Sequence, residues 1–203
     1  MRYDFNLENR KDSHKKLLLQ IIITIAEAAL LLGIAYAITH YGLETFTVSG
    51  QDMMPTLENG DRILVNKLSY RFHPVKRNDV VIVKQSGAEH NYYSAERVMG
   101  LPGETVQIQD GVLLINGKKL EEAFDFPIME NGGLALEEIT LDSGEYFVLC
   151  DNRNNGEDSR NASVGNILKE NIVGKAWIRL NTVEFVKNIN GFREKTLSGE
   201  KDG

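Results

Sequence analysis

Cysteine is nearly absent: Cys150 is the one example in 203 residues. No internal disulfide can therefore form, and whatever folds must stand on its apolar core, an economy common to extracytoplasmic proteins of Gram-positive bacteria. Basic charge is also short, with 23 Lys and Arg against 29 Asp and Glu and a formal net charge of −6. A nucleic-acid partner needs a basic face to answer its phosphates, so that class is excluded. No internal repeat is visible. The length suits one membrane anchor and one domain, and two globular domains would be a squeeze. No metal or cofactor is expected.

Lys and Arg are missing altogether between Lys16 and Arg62, and within that gap Leu17 to Ile38 form an almost unbroken apolar run. About 20 such residues cross the roughly 30 Å hydrocarbon core of a bilayer as a helix. Arg2, Arg10, Lys11, Lys15 and Lys16 precede the run, so the positive-inside rule puts the N-terminus in the cytoplasm and everything after about His40 outside. A cleavable secretory signal ending at Ala35-Tyr36-Ala37 is the rival reading, but its apolar region would run only about 7–15 residues. The expected organisation is a cytoplasmic N-terminus (1–16), a transmembrane anchor helix (17–39), an extracytoplasmic β domain (40–192) and a polar C-terminal tail (193–203). Gln20, Thr24 and Glu27 fall on one helical face. They mark either a helix–helix contact or the polarity that a single span tolerates.

Beyond the anchor, short β-rich runs alternate with Gly, Asn and Asp, which predicts a mostly β fold. The runs are Phe46 to Val48, Ile63 to Val65, Val80 to Val83, Thr105 to Ile108, Glu145 to Leu149 and Ile172 to Leu180. Asp110-Gly111 and Asn116-Gly117 are type I′ turn dipeptides on either side of the strand Val112 to Ile115, so two tight hairpins should follow one another. Glu121 to Asp142 is acidic and weakly periodic, and reads as an insertion or a loosely structured connection.

Three segments carry the chemistry. Ser49-Gly50-Gln51-Asp52-Met53-Met54-Pro55-Thr56-Leu57 resembles the nucleophile box of type I signal peptidases, where a serine stands immediately before Met-x-Pro-Thr-Leu; here that position is Asp52. Ser94-Ala95-Glu96-Arg97-Val98-Met99-Gly100-Leu101-Pro102-Gly103-Glu104 is similar to the box with the general-base lysine directly before the arginine; here that position is Glu96. Asp151-Asn152-Arg153-Asn154-Asn155-Gly156-Glu157-Asp158-Ser159-Arg160 resembles the last box, with Gly156 where the family has a lysine-orienting serine or threonine. Together with the anchor and Gly60 to Lys67, five matches occur in order, so the resemblance covers most of the chain. It implies a membrane-anchored, mostly β domain on the outer face.

In that family a neutral lysine takes the serine proton so that the hydroxyl can attack a peptide carbonyl. Asp52 cannot be the same nucleophile, because an amide would have to yield an acyl anhydride, and a Glu96 carboxylate is a poor mimic of a desolvated amine. Two carboxylates facing each other could share a proton as in aspartic proteases, but such sites also need symmetry and an activated water. The remaining motif residues have structural work: Pro55 fixes φ, Asp158 and Arg160 should pair, and Asp151 and Arg153 belong to the same scaffold. Cys150, at a family glycine position, reads as a small core residue.

The resemblance also implies a peptide groove that receives an added strand, with Gly50, Met53, Met54 and Pro55 as its binding residues; core filling is the alternative for the methionines. Relatives with altered dyads accompany sortase-built pili in Gram-positive bacteria. The implied role is thus a non-catalytic assembly factor or chaperone binding a pilin subunit or a sortase. The alternative is an active signal peptidase, a serine endopeptidase removing the signal peptides of secreted preproteins.

Overall fold

A computed structural model describes residues 5–86, 91–122 and 124–186; the expected tail, 193–203, lies outside the described residues. The chain divides into two units, one ending at Gly42 and one beginning at Leu43. The first is a single helix, α1, Phe5–Gly42. Its Lys15–Gly42 stretch runs 28 residues and contains an 18-residue window of mean hydropathy 2.4; its length is about 42 Å at roughly 1.5 Å per residue. Leucines and isoleucines around its circumference, among them Leu17, Leu18, Leu19 and Leu31, are exposed. By length and composition the helix is able to cross a bilayer. Thr24 donates its hydroxyl to the Gln20 carbonyl at 2.9 Å, so this member of the polar face is satisfied within its own helix.

The second unit is built of antiparallel strands: β1 (Leu43–Thr47), β2 (Arg62–Asn66), β3 (Val80–Ser86), β4 (Asn91–Gly100), β5 (Thr105–Gln109), β6 (Val112–Ile115), β7 (Lys118–Lys119), β8 (Ile139–Thr140), β9 (Glu145–Leu149), β10 (Ile167–Leu168), β11 (Ile172–Arg179) and β12 (Glu184–Phe185). A large sheet runs β1-β2-β11-β3-β4-β9-β10, with β12 on β11, and a second runs β7-β6-β5-β8. Val80 and Ile82 enter one core cluster with Met53, Leu57, Ile63 and Ala176, while Val81 and Val83 enter another with Val98 and Val148. Burial on both faces explains why β3 reads as an unbroken apolar run rather than an alternation. In the smaller sheet, Asp110, Gly111, Asn116 and Gly117 all have positive φ, as type I′ hairpins require.

The segment Glu121 to Asp142 is not the loose connection expected from its sequence. It is a packed strap. Phe124 and Phe126 meet edge to face, with ring centres 5.8 Å apart, and Met129 and Ala135 are buried in the core that joins the two sheets. A 3-10 turn at Gly133–Leu136 docks against the last motif, with Leu134 N–H donating to the Arg160 carbonyl at 2.8 Å. Gly133 is required there, because a Cβ would lie 2.2 Å from that carbonyl oxygen.

Candidate functional site

The β1–β2 connection carries the first motif as a tight succession of turns. It is closed by Val48 N–H to Asp61 C=O at 2.8 Å and Gly60 N–H to Val48 C=O at 2.9 Å. Gly50, at φ 92°, receives the Asn59 side-chain oxygen on its N–H at 3.0 Å. Met53 is 2 % exposed and belongs to the core, whereas Met54 is 36 % exposed; the Met54–Pro55 peptide is cis. The first and last motifs are stitched together by Asn152, whose N–H donates to Asp52 C=O at 2.9 Å and whose side chain donates to Gln51 C=O at 3.1 Å.

A groove of about 650 Å³ opens over this junction. Asp52 and Met53 line it from the first motif, Ser94 and Ala95 from the second and Asn154 to Glu157 from the third. Gly50, Met54 and Pro55 shape the loop but lie outside the lining. The three motifs therefore meet at one place. Tyr92 donates to Gln85 at 2.5 Å and Gln85 donates to the Ser94 hydroxyl at 2.9 Å, forming a polar rail along one wall. Ser49 and Ser94 both line the groove, yet among the described residues no lysine or histidine hydrogen-bonds either hydroxyl.

Glu96 is fully buried behind this wall. Its hydrogen-bond partner is Cys150 rather than Asp52, although the Asp52 charge is close enough to act on it. The Cys150 thiol donates to Glu96 Oε2 at 3.4 Å, and Glu96 Oε1 has no hydrogen-bond partner among the described residues. Burial, and then the charge of Asp158, push the Glu96 carboxyl well above the ordinary range, against weaker opposing contacts from Cys150 and Ser94. Asp52 is raised too, by burial first and then by Glu157 and Asp158. Burial pushes up the Cys150 thiol, with Glu96 adding to the effect.

Cys150 is the site residue that its small size concealed. A Cβ built on Gly156 would sit 2.6 Å from Cys150 Sγ and 3.1 Å from Asp52 Cβ. The thiol thus occupies the room a side chain at 156 would need. Cys150 and Gly156 share one volume, and reading the two positions as a pair is the signal that would have found Cys150.

Behind the groove lies a buried ionic frame. Arg97 grips Asp151 with two bonds of 2.6 Å, and the Thr56 hydroxyl donates to the same carboxylate at 2.5 Å. Asp158 pairs with Arg160 at 2.8 Å, accepts Cys150 N–H at 3.0 Å, and Arg160 donates to Arg153 C=O at 2.6 Å. Arg153 pairs with Glu122 of the strap at 2.7 Å and lies 4.0 Å from the Phe126 ring centre. Arg97 lies 5.1 Å from Phe124, so the strap covers both guanidinium groups. Arg97→Met strands the Asp151 carboxylate in the interior, and is expected to cost about 3–5 kcal/mol in urea unfolding; a cost under about 1 kcal/mol would contradict this frame.

An apolar helix followed by a mostly β domain, with a groove where three motifs resembling those of type I signal peptidases meet, points to that class of protein. A family model, "Signal peptidase, peptidase S26", matches residues 21–181, and the chain belongs to that family. Signal peptidase I of Leptolyngbya laminosa is 39% identical over 151 residues, covering 68% of this chain and 71% of that protein. Signal peptidase I T of Bacillus subtilis (strain 168) is 38% identical over 148 residues, covering 70% and 75%. A solved signal peptidase I from Enterococcus faecalis V583 is 29% identical, with a TM-score of 0.41 over 51% of this chain and 97% of that one. The N-terminal helix is consistent with the membrane anchor of a signal peptidase I.

Proposed function

We propose that this chain is a membrane-anchored signal peptidase homologue that binds peptide segments in its groove without serine–lysine hydrolysis. The observation that carries the reading is Glu96: fully buried at the base position, bonded to the Cys150 thiol, in a site whose remaining space the thiol fills. No serine stands at position 52, and a buried carboxyl whose charged form is disfavoured is not the neutral amine that takes the serine proton in the family. The positive-inside asymmetry supports a cytoplasmic 1–16, a span over 17–39 and an extracytoplasmic domain over 40–192. The client class favoured is a pilin subunit or a sortase, with the protein acting as assembly factor; this rests on the altered dyad alone. The names of the relatives favour the second reading, removal of signal peptides from preproteins.

The test is mass spectrometry of a purified preprotein with a small-x-small leader boundary, incubated with the full chain in detergent. No product is expected at that boundary. Cleavage there by the natural chain would replace the silent reading, and its loss in a Glu96→Gln variant would assign the chemistry to that carboxyl.

A further inference from the structure

Among the described residues, the charged side chains lining the groove are both acids, Asp52 and Glu157, and neither takes part in an ion pair. The cations of the buried frame are already committed: Arg97 to Asp151, Arg153 to Glu122 and Arg160 to Asp158. Strand alternation sets Tyr92, Ser94 and Glu96 on one face of β4. The first two line the groove and Glu96 continues the row behind them, fully buried and with Oε1 unpartnered. The groove therefore presents uncompensated negative charge at its rim and an unanswered acceptor oxygen behind its wall. Tyr92 and Tyr93, roughly half exposed, also line it.

We propose that the groove selects an extended peptide through a lysine or arginine side chain seated against Asp52 and Glu157. The inference rests on the peptide-binding reading above and names the chemistry of the ligand. An added strand places alternate side chains toward the groove floor, the carboxylates answer the cationic tip, and the tyrosine rings cover its methylene stem. Charge complementarity of this kind sets specificity more than raw affinity.

The probes are acetylated, amidated eight-residue peptides of Ala, Ser and Val carrying one variable residue, Lys, norleucine or Glu, placed in turn at each position. Binding to the full detergent-solubilised chain is read by fluorescence anisotropy. At its best position the lysine peptide is expected to bind about tenfold tighter than the norleucine peptide, with the ratio shrinking as salt rises. The double variant Asp52→Asn/Glu157→Gln should bring the ratio near one. Equal affinity of lysine and norleucine peptides, or a ratio untouched by the double variant, overturns the cation inference and leaves peptide binding standing. Failure of every peptide to bind overturns the peptide-binding reading and this inference with it.

Discussion

A chain carrying Asp52→Ser, Glu96→Lys, Gly156→Ser and Cys150→Gly together is expected to cleave a preprotein at its leader boundary, at least about a thousandfold faster than the natural chain. The same chain with Cys150 retained is expected to fall at least about a hundredfold short of it. The reason is space. A side chain at 156 starts from a Cβ position 2.6 Å from Cys150 Sγ and 3.1 Å from Cys150 Cβ, closer than packed atoms tolerate, so the loop must shift or the thiol must go. Replacing Cys150 with glycine removes both atoms at once. The buried pocket of Glu96 then supplies the desolvation that lowers a lysine's pKa toward a neutral, proton-accepting amine. Asp158 would oppose that shift, but its charge is answered by Arg160 at 2.8 Å. Single-turnover kinetics on the four-residue variant and on its Cys150-containing parent measure the coupling directly. Equal rates would show that the loop relaxes and that 150 and 156 are independent; no cleavage by either would mean that the groove no longer admits a scissile peptide.

That coupling also shows where sequence reading succeeds and where it stops. Strands with alternating or unbroken apolar character were legible because period and turn chemistry are local. Asp110-Gly111 and Asn116-Gly117 call for positive φ by themselves, and the backbone adopts it. The convergence of three motifs was legible through resemblance alone, since nothing local brings Asp52 beside Gly156. The strap was not legible, because Phe124 and Phe126 gain their purpose from Arg97 and Arg153, which are distant in sequence and leave no periodic trace. Met53 was ambiguous for a related reason: it both fills the core and lines the groove. Cys150 reads as a small core residue and is fully buried, but its contact with Gly156 was not legible because only the fold brings the two together.

The stability of the natural chain is expected to fall as pH rises above the unfolded carboxyl value of 4.5, and Glu96→Gln should remove most of that slope. The sign follows from proton binding. Glu96 has its folded-state pKa raised well above the unfolded value of 4.5, chiefly by burial. Between the two values the native state holds a proton that the unfolded state has released, so each pH unit in that window costs up to about 1.4 kcal/mol, and the full penalty is present above the folded pKa. Asp52 adds a slope of the same sign, beginning near its unfolded value of 3.8, and Cys150 adds one above 9.0. Glutamine keeps the shape and cannot ionise, which isolates the Glu96 contribution. Glu96→Met goes further: it removes the orphaned Oε1 and the charge together, and is expected to stabilise the chain at pH 8 by about 1–4 kcal/mol. Trp177, the single tryptophan, lies on β11 at the centre of the large sheet and reports urea unfolding by fluorescence. Parallel pH curves for the natural chain and Glu96→Gln would mean that water reaches this carboxyl, and that the base position is still built to exchange a proton with the groove.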